Sequence, residues 1–115
     1  MQPHVNSMTF RVLLVEEDDG WWSAQCLEHD IAAQAKRLSD LRYELERVLM
    51  AHMMLCEHEG IEPFSNIEPA PKQYWEMYEK ADIRVLAKEV HIEASPAVHH
   101  ALPKQQFRVA EHALA

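Results

Sequence analysis

Residues 10–15, Phe-Arg-Val-Leu-Leu-Val, place apolar side chains on both faces of one short segment. Side chains alternate across a strand, so Phe10, Val12 and Leu14 share one face while Arg11, Leu13 and Val15 share the other. A strand apolar on both sides lies centrally in a fold or meets a partner. Residues 8–16, rich in β-branched and aromatic types, therefore read as a central strand. Glu17-Asp18-Asp19-Gly20 reads as the following turn, with Gly20 free to take positive φ. Residues 21–26, Trp-Trp-Ser-Ala-Gln-Cys, read as the return strand of a hairpin. Neighbouring tryptophans on a strand point to opposite sides. We place Trp22 with Ala24, Cys26, Phe10, Val12 and Leu14 beneath a helix, and Trp21 on the open face with Leu13 and Val15. That open face is covered either by the C-terminal part of the chain or by a partner, where aromatic residues are favoured.

After a short polar link, Leu27-Glu28-His29-Asp30, residues 31–35 form a candidate third strand of weak β propensity. Leu41, Leu45, Val48, Leu49, His52 and Cys56 then recur at helical spacing. The pattern predicts a helix over 40–58, with Ser39 as N-cap, Asp40 favouring the macrodipole and Gly60 as the stop. A second stripe runs through Tyr43, Met50 and Met54, with Arg47 between. Three prolines make residues 60–71 an extended crossover, and Pro71 starts a short helix reaching Glu79. Residues 83–92 read as the last strand, broken by Ser95-Pro96. Residues 97–115 lack a strong pattern; Phe107, Val109 and Leu114 suit a short helix, a docking strand or a frayed end. The order β-β-β-α-(short α)-β is an α+β domain, a small sheet with one main helix on one face.

At 115 residues the chain suits a single domain. We assign residues 1–93 to that domain and 94–115 to a C-terminal tail or docking arm. Only two glycines are present, too few for a Gly-rich phosphate loop. The formal net charge is −8. Such a surface repels phosphate backbones, so autonomous nucleic-acid binding is not expected, whereas a basic protein partner is favoured. Cys26 and Cys56 are expected as free thiols in a reducing cytoplasm, without signal peptide or membrane span.

The run from Phe10 to Ile31, with its acidic turn Glu16-Glu17-Asp18-Asp19-Gly20, the aromatic pair, the acidic link and the helix opening at Ser39-Asp40-Leu41, resembles the HicB-like antitoxin family. The likeness covers residues 8–58. It departs from the family where many members carry a Pro and a Gly, in the link Leu27–Asp30, and a Gly-x-Thr, at Ala35-Lys36-Arg37. The resemblance implies a partial RNase H-like fold and a non-catalytic role: binding and masking a small basic RNase toxin of the HicA type. The alternative is an orphan HicB-like structural or small-ligand-binding oligomeric module with no toxin partner. Many members also carry a DNA-binding segment; residues 94–115, with only Lys104 and Arg108 basic, are not expected to supply one.

Glu16, Glu17, Asp18, Asp19 and Trp21 are the candidate partner-binding residues, the carboxylates through charge-assisted bonds to basic groups. Four acids in one turn cannot all converge on a metal as a nuclease requires, so no catalytic site and no cofactor are expected. A homodimer or higher oligomer is expected through the edge of the last strand, with Val85, Leu86 and Trp75 at the interface. Tyr74, Trp75 and Tyr78 suit packing on the sheet edge better than base stacking beside Glu76 and Glu79. His52 and Cys56, at i and i+4 with His58 near and His29, His99 and His100 in reserve, have metal-ligand spacing but equally suit the apolar helix stripe; no metal is expected. Cys26 beside His29 or His52 lacks any nucleophile signature.

Overall fold

The computed structural model describes residues 9–81 and 102–110. The elements run β1 (Thr9–Glu16), β2 (Trp22–Cys26), β3 (Ala32–Ala35), α1 (Leu38–Glu59), α2 (Lys72–Glu79) and β4 (Lys104–Val109). Among the described residues they form one α+β unit with a four-stranded sheet ordered β3-β2-β1-β4. β2 is antiparallel to β1 and to β3, while β4 runs parallel to β1.

β1 is central, as its two apolar faces require. Val12 and Leu14 sit under α1, in a core with Phe10, Ala24, Cys26, Leu41, Leu45, Leu49, Phe64 and Phe107. Trp22 packs against this core. Leu13, fully buried, belongs to a second cluster on the opposite face with Leu27, Ala70, Tyr78 and Ala110, capped by Val15, Tyr74 and Trp75. α2 therefore covers the face that α1 leaves open. It covers the β1 side only; over β2 and β3 that face carries Ser23, Gln25, Ala32 and Gln34, which need no apolar cover.

The alanines of β3 have a steric use. Ala33 and Ala35 are buried below α1, and their small side chains let Leu41 and Leu45 come close to the sheet. At its other flank α1 reaches β4: Arg42 pairs with the buried Glu46 at 3.0 Å and lies 5.6 Å above the Phe107 ring. α2 is tied to β4 by polar bonds. The Tyr78 hydroxyl donates to the Gln106 carbonyl (3.0 Å), and Arg108 Nη1 donates to the Tyr78 carbonyl (3.1 Å).

Several sequence-based expectations need correction. β2 starts at Trp22 and β3 at Ala32, each one residue inside the expected bound, while Met8, the expected start of β1, lies outside the described residues. The helix is longer than 40–58 and its N-cap is Arg37, with no side-chain cap; Ser39 lies inside the first turn. The start moves back because Leu38 packs against the core. Gly60 does end α1, at φ +71, with the Gly60 and Ile61 amides closing onto Glu57 and Cys56 carbonyls. Val48 is not a core residue: it lies on the outer side of α1, and Glu46 with Arg42 takes the flank toward β4. The crossover 60–71 is not extended throughout, because it turns at 63–66 around Phe64, whose φ is +68. The segment without a pattern supplies β4, which docks along β1 with Phe107 and Val109 buried. The strand expected over 83–92 lies outside the described residues, with Val85 and Leu86.

Leu13 holds two layers together, so Leu13→Ala is expected to cost about 2–5 kcal/mol through lost burial and a residual cavity. Urea unfolding measures it; a change within the range of ordinary surface substitutions would contradict the two-sided core.

Candidate functional site

The acidic hairpin stands at one end of the sheet. Its conformation is set locally: Glu17 N–H donates to the Trp21 carbonyl (2.7 Å), Gly20 N–H to the Glu17 carbonyl (2.9 Å), and Gly20 takes φ +89. Two of the acids work inside the turn. Asp19 Oδ1 accepts from Trp21 N–H at 3.0 Å, and Glu17 Oε2 accepts from the Ser23 hydroxyl at 2.7 Å. Glu16 ends β1 half-buried opposite Trp22, while Asp18 is exposed at the tip. The four acids thus have different settings and do not converge.

Trp21 follows directly. It precedes β2, is 37% exposed, and by alternation shares the side of Ser23 and Gln25, where α2 does not reach. Trp21 stands beside the end of β3, because the Trp22–Ala35 pair brings Lys36 next to it. Lys36 Nζ lies 5.7 Å from the centre of the Trp21 ring, so the ring face receives a cation. Trp21, Lys36, Arg37, Asp40 and Tyr43 border a shallow cleft of about 830 Å³. Its outer wall is Tyr43, which is largely exposed. Arg37 is held by Asp40 at 3.1 Å. The acidic turn leads directly into Trp21, so the exposed acids and this cleft are neighbours along the chain.

Trp75 is differently placed. Its indole N–H donates to the Ala70 carbonyl at 3.2 Å, and the Arg11 guanidinium lies 4.9 Å above its ring. The ring's polar edge and one face are engaged within the chain. Arg11 is itself positioned by Glu28, whose Oε2 accepts from Nε at 2.8 Å and whose Oε1 accepts from the Arg11 amide at 2.7 Å.

A second polar constellation lies at the far end of α1. Phe64 N–H donates to His52 Nε2 at 2.8 Å, and the two rings stack with centroids 4.7 Å apart. A nitrogen that accepts carries no proton, so neutral His52 holds its proton on Nδ1. His29 Nδ1–H donates to the Ile67 carbonyl at 2.8 Å. The two histidines thus clasp the loop that carries Phe64, whose ring also meets Phe10 edge-on. Cys56 Sγ is 3.4 Å from His52 Nε2. Among the described residues no group of three His, Cys, Asp or Glu is placed to hold a metal ion. His52 and Cys56 serve packing and a loop bond; His58 does not join them in such a group, and His99 and His100 lie outside the described residues. The Cys26 thiol is pushed up to about 12 by burial, reinforced by the Glu28 charge, and stays protonated at neutral pH. The two cysteines are free and buried.

No helix among the described residues is long and apolar enough to cross a membrane. No family model, curated protein or solved structure matches the chain.

The His52 bond was missed from sequence because Phe64 is distant along the chain and its amide gives no side-chain signal. It has a pH consequence. Burial, and then the nearby His29, lower the His52 pKa below its ordinary value. The folded state therefore binds fewer protons than the unfolded state just below pH ~6.5, and stability is lost as pH falls through that range. His52→Gln, whose amide oxygen still accepts from Phe64 N–H, is expected to flatten this part of the profile. Denaturant unfolding of both proteins between about pH 8 and pH 5 measures it, and identical profiles would contradict the role given to His52.

Proposed function

We propose that the chain is a HicB-like antitoxin, a non-catalytic protein that binds a small basic RNase toxin and masks its active surface. The observation that carries this reading is the continuity of the exposed acidic hairpin with the Trp21–Tyr43 cleft. A basic partner meets carboxylates at Glu17, Asp18 and Asp19 and then an aromatic ring whose face already holds a lysine. Long-range attraction follows from the net charge of −8 and speeds encounter. Affinity comes from the aromatic anchor, because desolvated tryptophan contacts dominate protein interfaces. Arginine or lysine of the toxin would displace Lys36 from the Trp21 ring, and the bulk of the hairpin would then deny RNA its approach.

Support also comes from the topology. A hairpin of β1 and β2, a third antiparallel strand, a long helix on one face and a parallel fourth strand beside β1 form the arrangement expected of a partial RNase H-like domain. We place the protein in the cytoplasm, where both thiols stay reduced and an RNase toxin acts.

The test is to express the chain together with the product of the adjacent reading frame and to measure RNA cleavage with and without the complex. A short basic protein that cleaves RNA alone and is silenced in fixed ratio by this chain is the expected result. Trp21→Ala is then expected to weaken the complex by at least about tenfold, while leaving unfolding stability little changed. An adjacent product with no RNase activity, or none retained at physiological salt, would replace this reading with the orphan oligomeric module.

A further inference from the structure

The outer face of α1 is apolar where a two-layer protein ordinarily turns polar side chains to water. Val48 and Leu55 fall on one line with the small, exposed Ala51 between them, and Met54 lies beside that line. Met54 is 62% exposed and Leu55 55%. The core-facing stripe of the same helix is complete without them, so among the described residues this second stripe packs against neither core cluster.

We propose that α1 packs antiparallel against α1 of a second copy of this chain, across a two-fold axis at Ala51. A two-fold interface must be complementary to itself. The order of residues along α1 has that property in one orientation only. Glu44 and His58 are equally far from Ala51 on either side, so an antiparallel pair sets the Glu44 carboxylate opposite a His58 N–H of the second copy, twice. Val48, three residues before Ala51, then lies opposite Met54 of the second copy, three residues after it, and Leu55 packs beside this pair. Arg47, held by Glu44 at 3.1 Å, lays its aliphatic stem against Leu55 of the second copy. Ala51 at the crossing point leaves room for close approach of the two helices. The parallel arrangement would instead set each residue against itself, Glu44 on Glu44 and Arg47 on Arg47, and is excluded by like-charge repulsion. The pairing is made by helix side chains, on the flank of α1 away from Arg42, Glu46 and β4, and involves no strand backbone. It does not rest on the antitoxin reading, although Glu44 also lines the Trp21 cleft.

Sedimentation or light scattering of the full chain at micromolar concentration is expected to give a dimer. Leu55→Glu is expected to weaken it by at least about tenfold with the helical signal retained. Glu44→Lys and His58→Glu are each expected to weaken it, and the two together to restore it. Ala51→Cys is expected to form a disulfide-linked dimer on mild oxidation, with Glu76→Cys on α2 as the control; the native cysteines are buried and do not interfere. A monomer throughout the concentration range overturns the proposal, as does a double charge reversal no better than either single change. A monomer whose thermal midpoint falls on Leu55→Glu also overturns it, because the face is then covered by the same chain.

Discussion

The architecture depends on β1 being buried on both sides. A strand with Val12 and Leu14 on one face and Leu13 on the other requires two covers, and the chain supplies α1 for the first and α2 for the second. It also requires a hydrogen-bonded neighbour along each edge, because unpaired backbone groups at that depth are costly. β2 supplies one by a tight hairpin and β4 the other by a long return. The remaining elements adjust to these four contacts. β3 is built of small residues because α1 must cross it closely, and β4 carries Phe107 and Arg108 to meet α1 and α2.

The two ends of the sheet have different characters. At the Leu27–Asp30 link, polar groups are spent on the chain itself. Glu28 holds Arg11, His29 holds Ile67, and the Asp30 and Ala70 amides donate to Glu68 and Leu27 carbonyls. These bonds fasten the loop between α1 and α2 across the link. At the hairpin end, the carboxylate of Asp18 and the rings of Trp21 and Tyr43 are turned outward. A protein that binds through one end benefits from this division, since the fastened end fixes the frame against which the exposed end is presented.

Much of the architecture is legible in the residues. The double-sided apolar run announces β1, Gly20 the hairpin, the leucine spacing α1, and Gly60 its end. The failures have physical causes. Ser39 has the chemistry of a cap but loses the position to Leu38, whose burial starts the helix earlier. Val48 matches the periodicity yet sits on the outer side, because spacing alone cannot say how wide the buried stripe is. A docking strand through Phe107 and Val109 is one of three readings of residues 97–115, and nothing in Lys104-Gln105-Gln106 selects it; the pairing is imposed by the need of β1 for a second neighbour. The alternation separates Trp21 from Trp22, but nothing in the sequence says that α2 covers that side over β1 alone and leaves Trp21 exposed beside β3. The acidic turn was legible as a surface; that two of its four carboxylates brace the turn emerges only from geometry.

The parallel pairing of β1 with β4 has a consequence for the order of assembly. Thr9 pairs with Lys104, so the first strand made must wait for nearly the last described residues before its second edge is satisfied. β1, β2, β3 and α1 are close in sequence and can condense together, but the nascent intermediate they form carries an open, apolar strand edge. Non-local closure of this kind slows folding and leaves time for wrong pairings between chains. During synthesis the molecule is therefore most exposed to aggregation in the interval before β4 emerges, and a chaperone that shields the β1 edge would act within that interval.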